Sequence, residues 1–155
     1  AELNLQIDAY LPSDYISDER QKIEIYKRIR EIDSRVNYEN LQDELIDRFG
    51  EYPDVVAYLL EIGLAKSYLD QAFVKSVERQ QNAVIIHFEK ISQQLYLTQD
   101  YFEALSMTNL KARIGEKNGL IEVIFDVKNK KDYEILESLV NFGEKMLEIK
   151  QRKAE

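Results

Sequence analysis

The hydrophobic pattern of this chain changes period near residue 72, and that change constrains the fold more than any other feature. Up to there, after a short opening strand, apolar side chains recur at the spacing of a helix face. Beyond it, pairs of short alternating runs appear, each pair followed by a helical pattern. A chain that does both must pack helices against a sheet whose strands are joined by hairpins.

The opening segment alternates. Leu3, Leu5, Ile7 and Ala9 point one way, and Glu2, Asn4, Gln6 and Asp8 the other, which predicts a strand that Pro12 stops. An element that starts at residue 2 without an initiator methionine suggests a piece cut from a longer polypeptide. A first helix is expected from Asp18, with Gln21 as the return half of a capping box and Ile25, Ile29 and Ile32 on its inner face. Asn37 can cap a second helix carrying Leu41, Leu45 and Phe49, which Gly50 ends through a left-handed residue. Pro53 then suits the first turn of a third helix over 53–70. That helix is nearly apolar and should be the buried one of the three. Gly63 within it costs about 1 kcal/mol of helix propensity, so close backbone packing is its expected reason.

Residues 73–79 and 83–88 read as a hairpin around Gln80–Asn82, and 110–116 and 120–127 as a second around Lys117-Asn118-Gly119. Thr98 can cap a helix through Tyr101, Phe102 and Leu105. A long amphipathic helix runs from about Asp132 to the end. The expected fold is α+β: an N-terminal strand and three-helix lobe, then two β-hairpins each followed by a helix. The sheet should be antiparallel or mixed, with helices on one face. Residues 1–155 are expected to form a single domain, with a strand-plus-helical lobe over 2–70 and a sheet-and-helix lobe over 73–155.

Composition narrows the chemistry. With 155 residues, 45% of them apolar, the chain can bury a sizeable core unaided. No apolar run approaches the roughly 18 residues of a membrane span, so no membrane partner and a cytoplasmic location are expected. Cysteine is absent and His87 is the single histidine, which leaves no thiolate or His-rich metal site, and none is expected. His87 alternates onto the face of Ala83 and Ile85, where a strand histidine is favoured over a catalytic base. The five glycines form neither a dinucleotide-binding turn nor a phosphate loop. Nothing in the sequence is positive evidence of catalysis.

The net charge of −8 opposes binding to a phosphate backbone. Residues 1–70 carry 16 acids and 8 bases and residues 71–155 carry 13 of each, so the whole excess lies in the first half. A partner for that half should be basic, although solubility alone is a sufficient reason for the charge. On the second helix, Asn40, Glu44, Asp47 and, if the last turn persists, Glu51 form a stripe beside Leu41, Leu45 and Phe49. Acids near a helix C-terminus oppose its dipole by about 0.3–1 kcal/mol each, so helix stability does not explain Asp47, whereas a basic partner does. The competing account is an ordinary solvated face on which Glu44 pairs with Arg48. The cationic tail, Lys145, Lys150, Arg152 and Lys153, is interleaved with Glu144 and Glu148 and sits where a helix dipole favours cations.

At Glu44-Leu45-Ile46-Asp47-Arg48-Phe49-Gly50, followed by Pro53, the chain resembles the C-terminal domain of bacterial transcription-repair coupling factor, the Mfd family of ATP-driven DNA translocases. Asp8 to Pro12, Asp14 to Ile16, Tyr26-Lys27-Arg28 and Leu59 to Ile62 carry the resemblance too, which is strongest over residues 2–70. The resemblance implies a regulatory domain with no catalytic site or cofactor of its own, ATP and Mg being bound elsewhere in the parent. It implies docking on the UvrB-like N-terminal module of the same polypeptide, which masks the surface that recruits UvrA until RNA polymerase is engaged. In this family Glu44 and Asp47 correspond to acids that pair with arginines of that module. Arg48 belongs to the same motif with either an interface or a structural role, Phe49 reads as core and Gly50 as the helix cap. No direct nucleic-acid contact and a monomeric state are expected. Two other functions remain open on the residues alone: a small carboxylate-dependent hydrolase with a cleft between the lobes, and a free-standing acidic adaptor.

Overall fold

The computed structural model describes all residues 1–155. The elements are β1 (Glu2–Asn4), α1 (Glu19–Arg30), α2 (Arg35–Phe49), α3 (Asp54–Gln71), β2 (Val74–Gln80), β3 (Ala83–Phe88), α4 (Ser92–Leu95), α5 (Thr98–Leu105), β4 (Ala112–Lys117), β5 (Leu120–Asp126) and α6 (Asp132–Lys153). The five strands form one mixed sheet in the order β1-β2-β3-β5-β4, with β1 parallel to β2 and every other pair antiparallel. The α+β architecture expected from the period change is the observed one.

Alternation along the strands decides which face is covered. Val77, Ile86 and Val123 stand side by side in register, all fully buried. Phe88 and Phe125 extend that face, and Phe142 of α6 meets their rings at 6.4 and 5.9 Å. Helix α3 lies beside α6, buried through Val56, Leu60, Leu64, Ala65, Tyr68 and Leu69. It is the most buried of the first three helices. Gly143 of α6 fits where a Cβ would come within 3.1 Å of Tyr68 and Leu69. A single cluster of 34 buried residues runs from Leu5 through α1, α2 and α3 to the sheet and α6.

The opposite face of the sheet carries Ser76, Glu78, Ile85, His87 and Glu122. His87 is half-buried there, 3.4 Å from Glu122 and 3.6 Å from Glu78, as a strand histidine held between carboxylates. The Lys117–Leu120 pair closes the second hairpin through Asn118 and Gly119, at φ 54° and 80°. Such positive φ at both central residues is what a two-residue hairpin turn requires.

Four local expectations are corrected. The opening strand covers only Glu2–Asn4 rather than 2–9, because Gln6 takes a left-handed φ of 57° and ends the ladder. The alternation of burial nevertheless continues to Ala9. Ser34, not Asn37, is the N-cap of α2. Asn37 sits three residues on and completes the capping box, its Oδ1 accepting from the Ser34 N–H. Asp18 caps α1 by accepting from the backbone N–H groups of Arg20 and Gln21, so Gln21 supplies a main-chain donor rather than a returning side chain. Thr98 opens α5 one residue beyond its cap, where Asp100 accepts from the Leu97 N–H at 2.7 Å. The short α4 carries no hydrophobic period and was not expected.

Candidate protein-docking face

Helix α2 is oriented by three buried side chains, Tyr38, Leu41 and Leu45, which turn the opposite side to solvent. Its end is fixed as firmly as its start. Gly50 adopts φ +84° and returns its N–H to the Ile46 carbonyl at 2.9 Å. The Tyr15 hydroxyl bridges to the carbonyls of Leu45 and Gly50 at 3.2 and 2.8 Å. Phe49 is half-buried, its ring 5.9 Å from that of Tyr15, and the Arg48 guanidinium lies 5.0 Å from the centre of the same ring. Pro53 immediately precedes α3 in an extended conformation. Phe49, Gly50 and Pro53 therefore hold the α2–α3 corner rigid, and the side chains on the last two turns of α2 are presented from a fixed backbone.

Those side chains fall into two groups. The Asp47 carboxylate is exposed and enters none of the protein's ion pairs or side-chain hydrogen bonds, and Glu51 lies beyond the end of α2 and so leaves the stripe. Glu44 is half-exposed and engaged: its Oε2 accepts from Arg28 of α1 and from Arg48 Nη1 at 2.8 Å. Arg48 Nη1 also approaches Glu24 of α1 at 3.4 Å. The four residues form a ladder across the α1–α2 seam, Glu24–Arg48–Glu44–Arg28, with two charges of each sign. The hydrogen bonds from Arg28 and then Arg48 hold the Glu44 carboxyl below the usual carboxylate range. The Glu44–Arg48 pair expected of a solvated face is thus present, and Arg28 is a partner that sequence reasoning missed. Glu24 faces Arg48 and Arg28 faces Glu44, an antiparallel alignment that only the packed helix pair reveals.

A second cluster tests the hydrolase alternative. A crevice of about 260 Å³ between α2, α3 and α6 is lined by Arg35, Tyr38, Glu61, Tyr133, Glu137 and Asn141. One Glu61 oxygen is sealed from solvent without a hydrogen-bond partner. Burial, reinforced by Glu137, pushes the Glu61 carboxyl up, and burial with Glu61 nearby pushes the Tyr38 hydroxyl up to about 12. Glu137 itself is exposed, so the two acids do not make an enclosed dyad. Arg35 is turned to Glu144, at 3.1 and 3.3 Å, and Glu144 also accepts from the Tyr68 hydroxyl at 3.0 Å. The crevice thus pairs one largely buried carboxyl, Glu61, with one exposed one, Glu137.

The cationic tail is occupied from within. Arg152 forks onto Glu103 at 2.9 and 3.2 Å, Lys153 reaches Asp100 at 3.0 Å, and Lys145 lies between Glu148 and Glu103. Lys150 donates to the Gln71 carbonyl at 2.7 Å and lies 4.2 Å over the Phe73 ring. The tail thus ties α6 to α5 and to the end of α3. No helix of the protein is long and apolar enough to cross a membrane.

A family model described as the TRCF domain matches residues 5–99. The transcription-repair-coupling factor of Bacillus subtilis is 28% identical over 151 residues, and that of Staphylococcus epidermidis 31% identical over 149. These matches cover 97% and 96% of the chain but 13% of each relative, so the chain spans about an eighth of their length. A crystal structure of the C-terminal domain of transcription-repair coupling factor superposes with a TM-score of 0.95 at 72% identity, covering 97% of this chain and 94% of that one. The likeness is not confined to residues 2–70, where the sequence resemblance is strongest, but extends through the sheet and α6.

Proposed function

The chain belongs to the TRCF domain family, and from that membership and the geometry of α2 we propose that it is a non-catalytic docking domain of a transcription-repair coupling factor. Its acidic α2 face clasps arginines on the UvrB-like N-terminal module of the same parent polypeptide and so masks the surface that recruits UvrA. The parent is an ATP-driven DNA translocase of the cytoplasm, and the 155 residues act as one regulatory domain without a cofactor. RNA polymerase engagement upstream releases the clasp.

The observation that carries this is Asp47, an uncompensated carboxylate beside Glu44 on a rigid, convex helix face. A convex face suits docking, whereas catalysis needs a cleft that excludes water. A carboxylate and a guanidinium pair through two parallel hydrogen bonds, which adds geometry to charge. Tethering within one polypeptide supplies a high effective concentration, so the interface can be weak as a free pair and still closed. Internal pairing of the cationic tail supports the absence of a nucleic-acid role for this domain.

The test is the double variant Glu44→Ala, Asp47→Ala in the full-length parent. The variant domain should unfold at the wild-type temperature within a few degrees, because both side chains lie outside the core. The full-length variant should capture UvrA in a pull-down that the wild type fails without polymerase. A double variant as closed as the wild type would sink the proposal.

A further inference from the structure

The two acids of the docking face are not equivalent, and Arg28 is what separates them. Glu44 Oε2 already accepts from Arg28 and Arg48, while Asp47 is free on both oxygens. A guanidinium arriving from a partner needs both oxygens of a carboxylate for the two-pronged contact that makes such pairs specific. At Asp47 both are available at once. At Glu44 one is held by a donor from another helix, so full engagement requires that donor to leave.

We infer that Arg28 is a built-in competitor of the docking partner: it occupies Glu44 in the free domain and is displaced, wholly or in part, when a partner arginine docks. This rests on the docking function proposed above and goes beyond it by assigning Asp47 to first contact and Glu44 to a second, exchange-limited step. Two further features of the fold support the exchange. The Arg28 and Glu44 side chains are each 35% exposed, so their pair lies at the seam rather than in the core and can open without unfolding. Arg48 stays with Glu24 when Arg28 departs, since that contact does not involve Glu44. Glu44 is then offered to an incoming cation with one internal donor rather than two.

The consequence is a clasp set weaker than its acids alone would make it, with Arg28 as the residue that sets its strength. Removing the competitor tightens the clasp, and it does so only through Glu44. A lysine in its place keeps the charge but offers a rounder, more hydrated donor that yields more readily.

The experiment is titration of this 155-residue chain with the UvrB-like N-terminal module of the parent, supplied as a separate polypeptide, by calorimetry at fixed ionic strength. The variants are Asp47→Ala, Glu44→Ala, Arg28→Gln, Arg28→Lys and the double variant Arg28→Gln, Glu44→Ala, with thermal melts to show that each is folded. Asp47→Ala is expected to weaken binding at least tenfold and Glu44→Ala by less. Arg28→Gln should tighten binding about three- to tenfold, with Arg28→Lys between it and the wild type. The gain from Arg28→Gln should vanish when Glu44 is alanine. Unchanged or weaker binding in Arg28→Gln overturns the competitor role while leaving docking intact. A gain that persists in the double variant also overturns it, because that gain would come from net charge alone. If binding responds to neither Asp47→Ala nor Glu44→Ala, the docking function itself fails.

Discussion

Gly63→Ala isolates the contact that sets α1 against α3. A Cβ built at Gly63 lies 3.0 Å from Ile29 Cγ2, 3.0 Å from the Ile29 carbonyl oxygen and 3.3 Å from Ile32 Cδ1. Two of those neighbours are side-chain atoms, but β-branched isoleucine has one strongly preferred rotamer in a helix and Ile29 is buried. The carbonyl belongs to the backbone of α1 and moves only if the helix moves. Overpacking of this kind costs about 1–3 kcal/mol, against a gain of about 1 kcal/mol from replacing a mid-helix glycine by alanine. The net expectation is a loss of up to about 2 kcal/mol, which lowers the melting temperature of a domain this size by up to roughly 8 °C. Urea unfolding followed by circular dichroism should show an earlier midpoint with an unchanged slope, as when stability alone is altered. A variant more stable than the wild type would refute the reasoning, because α1 would then give way to a Cβ at no cost.

Two further substitutions probe buried polar groups. Glu61→Gln removes a charge that burial and Glu137 disfavour, and because the native carboxyl is raised, the wild type loses stability as pH climbs from its ordinary range near 4.5 through the native value. The glutamine variant should therefore be more stable at pH 7 by about 1 kcal/mol, discounted for partial exposure, with the difference shrinking towards zero at pH 4 in parallel urea titrations. An equal gain at both pH values would show that packing rather than charge is responsible. Tyr96→Phe deletes the buried hydroxyl that donates to the Ala72 carbonyl at 2.9 Å and leaves that carbonyl unpaired at the end of α3, so thermal unfolding should report a loss of about 1–2 kcal/mol.

The fold was legible where a period ran long enough to be unambiguous. Helices α3 and α6, both hairpins and the Asn118-Gly119 turn lie within a residue or two of their expected places, since amphipathic spacing and positive-φ turn chemistry are local properties. What failed was the attribution of roles between neighbours. Ser34 and Asn37 both suit a helix start, and only the backbone decides which is the cap and which completes the box. The opening alternation described burial correctly through Ala9, but a strand also needs a ladder, and Gln6 breaks it. Conformation at one residue outweighed a pattern spread over eight.

The candidate docking face was half legible for a related reason. A helical wheel places Glu44 and Asp47 on one solvent-facing stripe and treats them alike, because it holds only the helix on which they lie. The difference between them comes from α1, whose Glu24 and Arg28 meet Arg48 and Glu44 across the seam. The Asp47 carboxylate meets no cation of the protein, while the ladder offsets the charge of Glu44. The net acidity of residues 1–70 therefore overstates what a partner meets near Glu44 and states it fairly at Asp47. On the docking function proposed above, a basic partner drawn in by the overall field would orient on Asp47 before competing for Glu44. That order of contacts follows from which carboxylate the fold has already satisfied.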